Sequence, residues 1–223
     1  MYTTMDLATI LGLILAFGAV IFSYTSEGGR LDSLFLTAPI IIVVGGTLGA
    51  TITTTSIKTV VQIPNYLKLA FFGRERSVKQ GIDSIILLAE KARREGILGL
   101  ELDLKRIHDP FFRKAIQLLI DGTEVTVLRD ILNNEIAYAA ERHKRGIVFF
   151  QKAGGFAPTL GILGTVLGLV HTLGNATDAA RMATSIAGAF IATLWGVGLA
   201  NLFFLPMSDK LRMRHEEEMA FLE

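Results

Sequence analysis

Four stretches of this sequence carry no Asp, Glu, Lys or Arg, and they are long. Leu7–Tyr24 has 18 residues, Leu34–Ile57 has 24, Ala153–Thr177 has 25 and Met182–Ser208 has 27, with His171 counted as neutral. A helix needs roughly 20 apolar residues to cross the hydrocarbon core of a bilayer, and a single segment satisfies its own backbone there only as a helix. Four membrane-spanning helices are therefore predicted. Buried core helices of a soluble protein are the competing reading, but four uncharged runs of this length in one short chain are hard to reconcile with it. Composition agrees: 19% of residues are charged and the mean hydropathy is +0.47, against about 25% charge in soluble domains. The net charge of +1 argues against a nucleic-acid partner, which selects a basic excess. With no cysteine there is no disulfide scaffold, no Cys-ligated metal site and no thiol nucleophile. His108, His143, His171 and His215 show no metal-ligand spacing. The first run has no Lys or Arg before it and no small-x-small cleavage site near Tyr24, so it reads as a retained span and not as a signal peptide.

Basic residues orient the spans. The segment Lys58 to Lys152 holds 17 of the 22 Lys and Arg, and the tail adds Lys210, Arg212 and Arg214. The connectors Thr25–Ser33 and Gly174–Arg181 hold only Arg30 and Arg181. By the positive-inside rule the middle segment, the tail and both termini are cytoplasmic and the connectors are external. The predicted class is an all-α membrane protein. Residues 1–57 carry two spans with an external loop near 25–33. Residues 58–152 form a helical cytoplasmic insert. Residues 153–208 carry two more spans with a loop near 174–181, and 209–223 form a cytoplasmic tail.

The insert shows helical periodicity and no sustained alternation. Lys58 to Phe72 continues from the second span. Ser77 is the expected N-cap of a helix whose apolar face is Ile82, Ile85, Ile86, Ala89 and Ala92, with Gly96 as its stop. Asp109-Pro110 reads as an N-cap followed by proline at the first helical position. Asp121-Gly122 closes that helix, and Thr123 caps the next, which starts at Glu124 and meets no breaker before Gly146, so it can run on into the third span. Such an insert is a bundle that supports the membrane part, a docking site for a cytoplasmic partner, or both.

No carboxylate lies inside any span; Asp6 and Asp209 stand at the edges. Intramembrane carboxylates are the usual carriers of coupled protons or sodium ions. The chain therefore transports nothing, or a partner supplies the acid. Gly161, Gly164, Gly168 and Thr172 recur at spacings of three and four, and Thr184, Gly188, Ala192, Gly196 and Ala200 recur every fourth residue. Small-residue ladders let helix backbones approach closely in lipid, either between this chain's own spans or against other subunits; the second is the favoured reading. Thr165 and Thr193 lie beside the ladders. Each hydroxyl either bonds back to its own helix or offers an oxygen to a passing ion. Pro158 and Pro206 either kink the third and fourth spans as hinges or mark their ends.

The residues from Ala157 to Val170, APTLGILGTVLGLV, resemble the third-span signature of the MotA family of bacterial flagellar stator subunits, which includes the sodium-type PomA. Asn201 to Leu211, NLFFLPMSDKL, is similar to the end of that family's fourth span, and Met5–Gly12 and Val43–Thr47 are similar to its earlier segments. The third-span motif is shared with the wider MotA/TolQ/ExbB group, but TolQ and ExbB have one span before their large cytoplasmic region, whereas this chain has two. The resemblance implies a stator subunit in the bacterial inner membrane, a homopentamer around a MotB-type partner that supplies the ion-binding Asp. No cofactor is implied beyond the transported H+ or Na+. The rotor protein FliG would be the cytoplasmic target and membrane lipid the surroundings. Arg93 and Glu101, with Arg94 as helper, match the family's rotor-contact positions; Thr165 and Thr193 match positions near the ion path; Pro158 and Pro206 match prolines that couple ion passage to shape change. The alternative is a TolQ/ExbB-type energy-transducing subunit that never touches a rotor. An enzyme on a membrane anchor finds no nucleophile–base pair, metal cluster or phosphate loop in the sequence. The chain ends at Glu223, earlier than family members do, which implies a short or cut tail.

Overall fold

The computed structural model describes residues 6–72, 78–174 and 179–223, with backbone alone at 179–181. Among the described residues every regular element is helical. Helix α1, Leu7–Ser26, is capped by Asp6, whose carboxylate accepts from the Thr9 amide at 3.1 Å. Its 20 residues extend about 30 Å at 1.5 Å per residue, the thickness of a bilayer core. No residue of it is fully buried: Leu13 packs against the core of the first unit, and most of the apolar surface faces outward, as suits a helix in lipid.

The second uncharged run is not a single 24-residue span. The short α2, Leu31–Leu34, ends where the run begins, and the run then forms a continuous helix made of α3, Thr37–Ile40, a π-turn, Ile41–Gly45, and α4, Gly46–Thr53. That helix covers Thr37–Thr53, about 25 Å. Leu36 is extended, and Pro39 falls in the first turn, where its missing N–H costs nothing. At the other end Thr53 and Thr54 turn their hydroxyls onto the carbonyls of Ala50 and Thr51 at 2.7 and 2.9 Å, offering the backbone an alternative to further helix. Ser56 then caps a new element. So α5, Ile57–Val61, and α6, Ile63–Phe71, are separate from the span above them and do not continue it. The lone tryptophan, Trp195, holds the start of this segment: its indole N–H donates to the Leu34 carbonyl at 2.7 Å, and its ring lies 5.6 Å from that of Phe35.

Helix α7 is Val78–Glu95; a 3-10 turn, Ile97–Leu100, leads into α8, Glu101–Leu104, and then α9, Pro110–Ile120. The predicted stops hold for a stated reason: Gly96 has φ +78° and Gly122 φ +76°, a backbone that non-glycine residues enter at about 1–2 kcal/mol. Asp109 caps α9 by accepting from the amides of Phe111 and Phe112 at 3.0 and 3.1 Å. The cap expected at Ser77 and most of the connector at 174–181 lie outside the described residues. The cap of α10 is Glu124 and not Thr123: the Glu124 carboxylate takes the amides of Thr126 and Val127 and the Thr126 hydroxyl. Those bonds, the hydroxyl first, pull the Glu124 carboxyl below its ordinary range.

Helix α10 runs unbroken from Val125 to Gly174, 50 residues with Pro158 inside it. Helix α11, Ala179–Leu199, passes through a second π-turn, Ala200–Phe204, into α12, Leu205–Leu222. Here the Leu205 amide reaches Ala200, five residues back. The wider turn precedes Pro206, whose ring would clash with the carbonyl four residues upstream and which has no N–H to give. Neither proline ends a helix: Pro158 lies inside α10, and Pro206 follows the π-turn that carries α11 into α12.

By compactness the chain forms two units, residues 1–74 with 144–214 and residues 75–143 with 215–223. These cuts differ from those drawn by charge, because both ends of the basic insert pack into the first unit. There Tyr66 and Ala70 of α6 join Phe150, Ala153 and Ala157 of α10 and Ala200, Phe204, Met207 and Leu211 in one apolar core. Gly146 leaves room for the Tyr66 ring; a Cβ there would lie 2.8 Å from it. In the second unit Leu100 is buried, Gly81 faces the Phe221 ring, and His143 of α10 meets His215 of α12, Nδ1 to Nδ1 at 3.3 Å. The predicted apolar face of α7 is largely uncovered: Ile82, Ile85 and Ile86 are exposed.

Candidate functional site

The seam between α10 and α11 is built on absent side chains. A Cβ on Gly161 would lie 2.8 Å from the Ala192 carbonyl and 3.1 Å from the Cα atoms of Thr193 and Gly196. A Cβ on Gly196 would lie 2.6 Å from the Ala157 carbonyl and 2.9 Å from the Gly161 Cα. These neighbours are backbone and have nowhere to go. Gly164 and Gly168 meet the methyl groups of Ala192 and Ala189, and Gly164 also meets Ile42. The ladder is thus used within the chain, which differs from the favoured expectation of a contact with other subunits. Gly188 faces Leu36 in place of α10.

Close approach of the two backbones brings the two singled-out hydroxyls together. Thr165 Oγ1 and Thr193 Oγ1 are 2.6 Å apart. Thr165 Oγ1 is also 3.2 Å from the Gly161 carbonyl and 3.0 Å from the Ala189 carbonyl, and Thr193 Oγ1 is 3.4 Å from the Gly161 carbonyl. Thr165 is 8% exposed. Both alternatives raised by the sequence meet here: Thr165 bonds back to the residue four before it, and also across to the next helix. Two hydroxyl protons face two carbonyl acceptors, Gly161 and Ala189, besides each other's oxygen. The result is an oxygen-rich spot in an otherwise apolar seam, able to accept a proton or to replace part of an ion's water. Among the described residues no cluster of three His, Cys, Asp or Glu suits a metal ion.

One site went unread in the sequence. The Asp6 carboxylate, 9% exposed, pairs with Lys210 and, at 2.8 Å, with Arg214. Its own amide donates to the Phe71 carbonyl at 2.9 Å. Burial raises the Asp6 pKa, but the hydrogen bond from Lys210, the Thr9 amide and the charges of Lys210 and Arg214 outweigh it, leaving the pKa at about 2. The signal was present: one acid at the start of the first span and two bases just past the fourth, on the side both were assigned. What was absent was any sign that residues 6 and 214 meet.

The charges of the basic insert divide into paired and unpaired. Lys91 binds Asp103 at 2.7 Å and Glu95 at 3.8 Å, which clamps the end of α7 to α8 across the turn at Gly96. The Asp103 hydrogen bond raises the Lys91 pKa, helped by the charges of Asp103 and Glu95. Arg93, Arg94 and Glu101 are exposed and form no ion pair among the described residues. Their charges are left for something outside the chain, or for water.

Comparison with known proteins gives these features a context. The family described as the MotA/TolQ/ExbB proton channel family matches residues 103–223, and the model described as Motility protein A N-terminal matches residues 10–96. Motility protein A of Borreliella burgdorferi is 38% identical over 217 residues, 97% of this chain and 83% of its own length. Chemotaxis protein PomA of Vibrio alginolyticus is 35% identical over 214 residues, 96% and 83% of the two chains. Among solved structures, that of C. jejuni MotAB superposes with a TM-score of 0.91 at 29% identity, covering 98% of this chain and 86% of that one. The flagellar MotAB stator complex from Bacillus subtilis gives 0.89 at 29% identity, covering 96% and 84%.

Two outcomes follow from this geometry. Gly161→Ala or Gly196→Ala should lower the thermal stability of the detergent-solubilised protein by about 1–3 kcal/mol, the usual cost of overpacking, while Gly155→Ala, where a Cβ meets nothing within 4 Å, should not. Asp6 has a folded pKa near 2 against an ordinary 3.8. Its pairing therefore stabilises fully above about pH 4 and is lost as pH falls toward 2, a contribution of about 2 kcal/mol. The stability gap between the wild type and Asp6→Asn should close over that window in pH-dependent unfolding.

Proposed function

The chain belongs to the MotA/TolQ/ExbB proton channel family, and from that premise we propose how its residues carry out the work of an ion-conducting stator subunit of the flagellar motor. The motility branch is the one matched at the N-terminus, and two apolar helices, α1 and Thr37–Thr53, precede the insert. The chain works in the bacterial inner membrane. A MotB-type partner supplies the carboxylate that the spans lack; the solved neighbours are MotAB complexes. Several copies, a homopentamer, ring that partner. The long middle segment and both termini lie in the cytoplasm, a reading supported by the 17 of 22 basic residues between Lys58 and Lys152.

The observation that carries the mechanism is the Thr165–Thr193 pair, 2.6 Å apart on a carboxylate-free wall. An H+ or Na+ taken up by the partner's acid leaves along this pair, whose hydroxyls and the carbonyls of Gly161 and Ala189 lend it oxygen as it is shed. One charge crossing 100 mV releases about 2.3 kcal/mol. Pro158 lies on α10, which carries Thr165, and Pro206 lies on α12, which continues α11 and its Thr193 through the π-turn. Each lacks a backbone bond that would otherwise resist bending, so these are the places where ion occupancy bends the wall. The two helices continue into the second unit, whose Arg93, Arg94 and Glu101 engage the rotor protein FliG by opposite charge.

The test is a stator-deleted strain carrying variant subunits together with the native partner. Thr165→Val and Thr193→Val, which keep shape and remove the hydroxyl, should lower partner-dependent ion flux about tenfold, one hydrogen bond's worth, with normal membrane levels; Thr193→Ser should retain flux. Unchanged flux in both valine variants would remove the pair from the ion path. Swimming speed against sodium concentration at fixed pH assigns the ion. A strain that swims normally without this subunit would point to the TolQ/ExbB type of role.

A further inference from the structure

Among the described residues, the segment from Gly96 to Leu104 is held more firmly than a surface tip needs to be. Gly96 turns the chain with φ +78°. Leu100 is inserted into the second unit and is 1% exposed. Lys91 and Asp103 close the base at 2.7 Å. Gly99 sits so close to Glu95 that a Cβ would lie 2.8 Å from its side chain. On this fixed frame Leu98 is 72% exposed and Leu102 77% exposed, with Ile97 beside them at 45%. Leu98, Glu101 and Leu102 stand at i, i+3 and i+4 of a continuous helical stretch, so they share one face. Single exposed leucines are ordinary, but two on one helical face, beside exposed charges of both signs, mark a contact surface.

We propose that Leu98 and Leu102, with Ile97, are the apolar centre of the rotor contact, and that Arg93, Arg94 and Glu101 are its charged rim. This rests on the reading of those three charges as rotor-facing. The occupant it fits is a rotor surface with an apolar patch bordered by both signs of charge, the complement of Leu98, Leu102, Arg93, Arg94 and Glu101. The charges alone make a poor anchor, because exposed ion pairs exchange one hydrated partner for another and contribute little. They steer approach and set register. Burial of two leucine side chains is what holds the partner between steps, in the pattern of an apolar core within a polar rim. The local pairing supports this division: the acid and base able to lock each other, Lys91 and Asp103, do so behind the tip, while the rim charges stay uncommitted.

The experiment uses the full-length subunit with its partner in motile cells, reading stator occupancy at the motor by a fluorescent fusion and torque by tethered-cell rotation. Leu98→Asn with Leu102→Asn should reach the membrane at the wild-type level, since both side chains are already in water, yet occupy the motor about tenfold less and lose torque. Leu98→Met with Leu102→Met, which keeps apolar area, should retain both. Wild-type occupancy and torque in the asparagine variant would overturn the proposal. If in that case Arg93→Glu with Glu101→Arg still impaired torque, the rotor-facing reading would stand without the apolar centre. If neither pair of changes mattered, both would fall. Should the asparagine variant fail to accumulate, Leu98→Ala with Leu102→Ala carries the same comparison, wild-type occupancy again counting against the proposal.

Discussion

Helices in lipid gain nothing from hiding apolar side chains from each other, because the surroundings are as apolar as they are. What can hold α10 against α11 is contact at short range, and that requires that no side chain intervene. Gly161 and Gly196 meet this condition against each other, each with the partner's backbone within 3.2 Å of where its Cβ would be. The separation of the two spans follows from that contact. So does the 2.6 Å approach of Thr165 and Thr193, since two hydroxyls on neighbouring helices reach each other only when the backbones almost touch. A polar bond across an apolar seam adds register to a packing that would otherwise be free to slide.

The same two helices leave the apolar region without interruption. Helix α10 is continuous from Val125 through Gly174, and α11 passes into α12 through a π-turn in place of a break. The second π-turn directly precedes Pro206, and the helix goes on past it. At the base, Asp6 with Lys210 and Arg214 ties α1, in which no residue is fully buried, to the end of the fourth span. Leu13 adds a contact with the core partway along the helix.

Much of this was legible in advance, and the reasons differ by residue. Runs without charge announce membrane helices because the cost of charge in hydrocarbon is paid residue by residue. Gly96, Asp109 with Pro110, and Gly122 announced their turns because φ above zero and N-capping are local demands. The errors lie where two local signals competed. Leu34–Ile57 lacks charge throughout, but Leu36 and the threonines at 53–55 break the helix inside it. Thr123 and Glu124 are both able to cap, and the longer side chain reaches the amides of Thr126 and Val127. The isoleucines of α7 have helical spacing, yet spacing alone does not say whether this chain or another molecule covers them.

Composition and order along the chain were enough to determine that it is helical, that it crosses a membrane, and that no acid lies in its spans. Those are properties of single segments and of their immediate solvent. Only the tertiary structure decided which glycine meets which backbone, that Thr165 faces Thr193, that Asp6 binds Arg214, and that Leu100 is buried while Leu98 and Leu102 stand in water. Each of these depends on distances set by packing between segments remote in the chain or by a turn whose direction the residue types do not encode.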